Sequence, residues 1–132
     1  MVATISPTLL YDDAKAAIRL LKDAFGFTEV AVYEDESGAV AHAELAYGDG
    51  MVMLSTRGRL EGVYARAMAK GGPMGVYVAI EDTDAHHRRA VEHGVEILMP
   101  PTDQDYGSRD YVARDAEGNV WSFGTYVPGG PV

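Results

Sequence analysis

The sequence predicts an α+β protein made of two βαβββ modules in one chain. Three observations carry this. The order strand, helix, strand, strand, strand occurs twice along the 132 residues. Gly26 and Gly94 each close a helix-type stretch, and 24 residues after each stands a glycine, Gly50 and Gly118, just before the last strand of its half. Asp13 and Asp82 stand at nearly the same offset ahead of the two helices, in the position of a helix N-cap. Repeated spacing of this kind marks an internal repeat.

Residues 5–10 form the first β-type run. Asp12 or Asp13 then caps a helix whose apolar face is Ala14, Ala17, Ile18, Leu21 and Phe25, spaced by three and four. Gly26 suits the left-handed residue that follows a helix. Strands are expected at 28–34, 40–47 and 51–56, with turns at Glu36-Ser37-Gly38 and Gly48-Asp49-Gly50. Residues 57–72 are a polar connector with a short helix around 63–69. The second half repeats the order. A strand at 74–80 precedes a helix that opens at Asp82 or Thr83, and strands at 96–99, 111–114 and 120–125 follow. The tail at 127–132 reads as a loose terminus. The whole is one domain, 1–132, with module one over about 1–56, the connector, and module two over about 73–126.

Composition narrows the function classes. Eleven Lys and Arg against 20 Asp and Glu give a net charge of −9, which repels phosphate backbones and makes nucleic acid a poor partner. The same charge favours a cationic or neutral small ligand. Cysteine is absent, which removes disulfides, thiolate catalysis and Cys-ligated metals together. The opening Met-Val-Ala-Thr has no basic segment and no long apolar run follows, so neither a signal peptide nor a membrane span is expected, and a cytoplasmic location fits. A helix over each four-stranded sheet leaves the other face free. Two such sheets are expected to enclose a concave space, where a ligand site belongs.

Gly48-Asp-Gly-Met-Val-Met-Leu54, and above all the Asp115-x-x-Gly118-Asn119 turn before the Trp121 strand, resemble the vicinal oxygen chelate superfamily, the glyoxalase and bleomycin-resistance group. The resemblance spans residues 5–126 and implies the bowl of that family. Metal-using members carry one His, Glu or Gln ligand on the first and last strand of each module. Counted from the shared landmarks, those places fall at Ser6, Leu54, Val76 and Ser122. None offers an imidazole or a carboxylate, so no metal and no cofactor is expected.

His42 and Glu44 lie two apart on one strand and so share a face, as a metal-binding or acid–base pair or as pocket lining, the reading we favour. Alternation puts Ser6, Thr8 and Leu10 on one face of the first strand, Leu54 with Val52 and Thr56, Val76 with Val78, and Ser122 with Val120 and Gly124. Trp121 and Phe123 then fall on the helix side as core. Tyr106, Arg109 and Tyr111, in and after a loop, suit stacking on a flat ligand, and Tyr64 could close the mouth. Adjacent His86 and His87, with Arg88, Arg89, Glu92 and His93, read as the solvated face of the second helix.

The resemblance therefore implies metal-independent binding and sequestration of a small, partly aromatic or hydrophobic organic molecule, as in antibiotic resistance, by a homodimer. The alternative is a lyase, isomerase or dioxygenase of the same superfamily, and a third is an accessory module without a ligand.

Overall fold

A computed structural model describes residues 5–58 and 73–128. The chain divides into two compact units, Met1–Gly72 and Pro73–Val132, each described by itself. The connector helix expected around 63–69, and Tyr64 with it, lie outside the described residues.

The first unit runs β1 (Thr8–Tyr11), α1 (Ala14–Asp23), β2 (Thr28–Glu34), β3 (Val40–Tyr47) and β4 (Gly50–Thr56). Its sheet has the order β1-β4-β3-β2, with β1 parallel to β4 and the other pairs antiparallel. A parallel neighbour needs a crossover, and α1, β2 and β3 supply it. The Asp13 carboxylate accepts from the N–H of Ala16 at 3.0 Å and fixes where α1 begins. Ala14, Ile18 and Leu21 of α1 are buried, and α1 packs on all four strands. Beneath it lie Leu9, Tyr11, Val40, Ala43, Leu45, Val52 and Leu54, all nearly inaccessible. Burying each of the leucines contributes roughly 1.5–3 kcal/mol.

The second unit repeats this: β5 (Gly75–Ala79), α2 (Thr83–Glu92), β6 (Glu96–Asp103), β7 (Arg109–Arg114) and β8 (Val120–Gly124), in the order β5-β8-β7-β6. Asp82 caps α2 by accepting from the N–H of Ala85 at 3.0 Å. Trp121, Phe123, Tyr111 and Ala113 are fully buried. Here the solvated helix face expected of His86 is corrected. Its ring lies 4.3 Å from that of Phe123, and its Nδ1 hydrogen-bonds the Tyr111 hydroxyl. Thr83, His86 and Ala90 recur at helical spacing, so they form the sheet-facing stripe.

β6 is longer than the expected 96–99 because it continues through Pro100 and Pro101. Proline removes a ladder donor and survives only at an edge or a bulge. β6 is an edge strand, and its register shifts between Met99 and Thr102. Three hairpin turns, at 35–39, 104–108 and 115–119, share one bonding pattern, each with a positive-φ glycine at its fourth place, Gly38, Gly107 or Gly118. The β3–β4 turn is different: it is a tight connection at Gly48 and Asp49, with Tyr47 paired to Gly50.

Candidate functional site

The ladders fix which side chains share the uncovered face of each sheet. In the first unit Thr8 stands beside Met53 and Met53 beside Glu44, all three half-buried. The next row is Leu10, Ser55, and then His42 with Tyr33 across from it. His42 Nε2 and Glu44 Oε2 lie 2.9 Å apart, the imidazole N–H donating to the carboxylate. The Tyr33 ring stacks over His42 at 6.2 Å between centroids.

In the second unit Tyr77 stands beside Ser122 and Ser122 beside Val112, and the following row holds Ala79, Gly124 and Asp110. The Asp110 carboxylate accepts from the hydroxyls of Ser108 and Tyr106. Tyr77 donates to the carbonyl of Tyr126 at 2.6 Å. Burial, above all, pushes the Tyr77 phenol up from its ordinary value, and the hydrogen bond to Asp110 pushes Tyr106 up. Both hydroxyls therefore stay protonated at neutral pH. Gly124 leaves the space these groups fill: a Cβ there would meet Asp110 Cγ at 2.8 Å and the Tyr77 hydroxyl at 2.9 Å.

Measured from the verified caps, Thr8 and Tyr77 each lie five residues before Asp13 and Asp82, so they are equivalents, as are Met53 and Ser122. This corrects the expected faces. Leu54 pairs with Leu9 and Ala43 and is fully buried on the helix side. Val76 and Val78 sit beside Trp121 and Phe123, in the same helix-side layer. Tyr111 is fully buried there too, which removes it from stacking on any open-face ligand. Thr56 lines up with Tyr11, and its hydroxyl donates to the carbonyl of Val40 at 2.8 Å. Arg109 turns to the surface, where Asp84 and Asp103 each hold it at 3.0 Å and, Asp84 first, raise its guanidinium further. Tyr106 is exposed in the 104–108 turn, Ser122 is on the open face, and Ser6 lies just ahead of β1.

Asp110, Ser108, Tyr77, Tyr126 and Tyr33 are additions. Asp110 could have been found from alternation with Val112 opposite a glycine; the hydroxyl contacts had no sequence signal.

The equivalent open-face places on the first and last strand of each unit thus carry Thr8, Met53, Tyr77 and Ser122. Three hydroxyls and a thioether do not fit a divalent metal, which wants carboxylate or imidazole. No group of three or more His, Asp or Glu that could hold a metal occurs among the described residues.

Residues 4–123 match the family described as the Glyoxalase/Bleomycin resistance protein/Dioxygenase superfamily. The chain belongs to that superfamily. An uncharacterized protein of Mycobacterium bovis is 31% identical over 126 residues, 93% of this chain and 83% of that one. Among solved structures, TioX from Micromonospora sp. ML1 is 31% identical with a TM-score of 0.80, covering 95% of this chain and 99% of its own. The fosfomycin resistance protein FosX from Mesorhizobium loti shares the fold at 18% identity, with a TM-score of 0.64 and coverage of 97% and 94%. Membership accounts for the paired βαβββ modules of the superfamily. No helix among the described residues is long and apolar enough to cross a membrane.

Proposed function

We propose that this superfamily member binds and sequesters a small, partly aromatic or hydrophobic organic molecule without a metal ion. The observation that carries the reading is the chemistry at the four equivalent open-face places, Thr8, Met53, Tyr77 and Ser122, which suits hydrogen bonding and flat apolar contact better than metal coordination. In the first unit His42 and Glu44 add a polar anchor next to Met53. Antibiotic resistance, a homodimeric state and a cytoplasmic location belong to the same proposal, on the strength of the superfamily and the acidic charge.

A second reading, acid–base chemistry as a lyase or isomerase, is favoured by one contact: the 2.9 Å pairing of His42 with Glu44, which orients an imidazole on an open face. The deciding measurement is metal content by mass spectrometry on untagged protein, followed by a thermal-shift screen with planar organic molecules. Less than about a tenth of an equivalent of metal, with a ligand that raises Tm in both wild type and His42→Ala, supports binding. A stoichiometric metal, or a ligand consumed by wild type and merely bound by His42→Ala, overturns it.

A further inference from the structure

Asp110 is 5% exposed, on the uncovered face of the second sheet, and among the described residues its carboxylate is held by neutral groups alone. The Ser108 hydroxyl donates to Oδ1 and the Tyr106 hydroxyl to Oδ2, the latter at 2.8 Å. Behind them the N–H of Tyr126 donates to Ser108 Oγ at 3.1 Å. No cation among the described residues pairs with Asp110; Arg109, its neighbour in the chain, is taken by Asp84 and Asp103. A buried carboxylate without a countercharge is costly, because neutral hydroxyls replace only part of its hydration. About two of its four lone-pair positions remain unused.

The surroundings select the countercharge. The rings of Tyr106 and Tyr126 meet at 86° with centroids 6.0 Å apart, forming a corner of two aromatic faces, and both are at least half exposed. Tyr77 closes the floor beside Gly124. Aromatic faces attract an organic cation and offer nothing to a small hydrated dication, which needs several anionic oxygens. A guanidinium fork needs both carboxylate oxygens side by side, and each already holds a hydroxyl.

We propose that Asp110, walled by Tyr106, Tyr126 and Tyr77, is the subsite for an organic ammonium group. The ammonium takes the place of the Tyr106 hydroxyl at Oδ2 and packs against the freed ring. This rests on the binding function proposed above and names the charged end of its ligand.

The test titrates the full chain with choline and with its neutral carbon isostere, 3,3-dimethylbutan-1-ol, following backbone amide shifts. Choline is expected to saturate, with the largest shifts at Ser108, Gly124 and Tyr126, and to bind at least about tenfold more tightly than the isostere. Asp110→Asn is expected to lose at least about tenfold in choline affinity, and Tyr106→Phe, which releases Oδ2 but keeps the ring, to lose none. Equal binding of choline and isostere, or unchanged choline binding by Asp110→Asn, overturns the proposal. Should Asp110→Asn not fold, the isostere comparison and Tyr106→Ala, expected to weaken choline, decide instead. Quinoline, planar and uncharged at neutral pH, separates the two claims. If quinoline binds wild type and choline does not, the ammonium subsite falls and the broader function stands. If choline alone binds, and does so through Asp110, the subsite stands and the flat apolar ligand falls.

Discussion

The indole N–H of Trp121 donates to Asp115 Oδ2 across 3.1 Å, so the largest core side chain of the second unit is tied to the turn that starts its own strand. The same carboxylate accepts the backbone N–H groups of Glu117 and Asn119 at 3.0 and 2.9 Å. Asp115→Ala removes the carboxylate that accepts from a buried indole N–H and two turn amides, and is expected to cost about 2–4 kcal/mol. Urea unfolding followed by fluorescence of this lone tryptophan measures it.

Gly124→Ala places a methyl group against Asp110 and the Tyr77 hydroxyl. The neighbour is a buried carboxylate with its own hydroxyl partners, so it has little room to yield. A loss of about 1–3 kcal/mol is expected. In a double-mutant cycle, Asp110→Ala should recover part of it, whereas strictly additive losses would mean that the clash is relieved elsewhere.

Met53 and Leu54 are adjacent and face opposite ways. Leu54→Ala, in the helix-side core, is expected to cost about 2–5 kcal/mol while leaving ligand affinity of the folded fraction unchanged. Met53→Ala is expected to do the reverse, with a smaller stability loss and a weakened ligand. Paired urea melts and ligand titrations on the two variants check both halves.

That pair also shows how far the sequence could be read. Both helices, their caps and six of the eight described strands were legible to within about two residues, because apolar spacing, capping aspartates and turn glycines are local signals. The site rows were not, because a shift of one residue in β4 and another in β5 each changes the face. Gly50 and Gly118 share a spacing but not a place: Gly50 is a strand residue opposite Tyr47, while Gly118 is the positive-φ residue of a longer turn. A slip of one exchanges the two faces of a strand, so the spacing points to Leu54 where Met53 stands. In β5 the equivalent of Ser6, seven residues before the helix cap, is Gly75 and not Val76. The Tyr77–Ser108–Asp110 grouping joins residues from β5, a turn and β7, and no local pattern encodes such a meeting.

Arg109 holds Asp84 and Asp103 at the surface. Exposed pairs of this kind contribute little, so Arg109→Ala is expected to change stability by less than about 1 kcal/mol and to leave the binding of planar ligands intact. A large loss of affinity in a titration of that variant would return Arg109 to the site.

The phenols give a pH dependence of known sign. Tyr77 is raised above 10.0 first by burial, and Tyr106 first by its bond to Asp110. Both hold their protons more tightly folded than unfolded, so their stabilising contribution is complete below pH about 10 and fades as pH climbs through the folded values. Urea midpoints recorded upward from pH 9 should fall, and fall less steeply in the Tyr77→Phe, Tyr106→Phe double variant. Identical alkaline slopes in both proteins would contradict this.

The two units match where a helix covers them and diverge where it does not: Leu9, Leu54 and Ala43 answer to Val78, Phe123 and Tyr111, all aliphatic or aromatic, but Thr8, Met53 and Glu44 answer to Tyr77, Ser122 and Val112. The architecture therefore separates two kinds of inheritance. One layer repeats as aliphatic or aromatic side chains, most of them buried, while the other is written in individual functional groups. Recognition can be rewritten on the uncovered layer, one side chain at a time, without renegotiating the core that holds the strands in place.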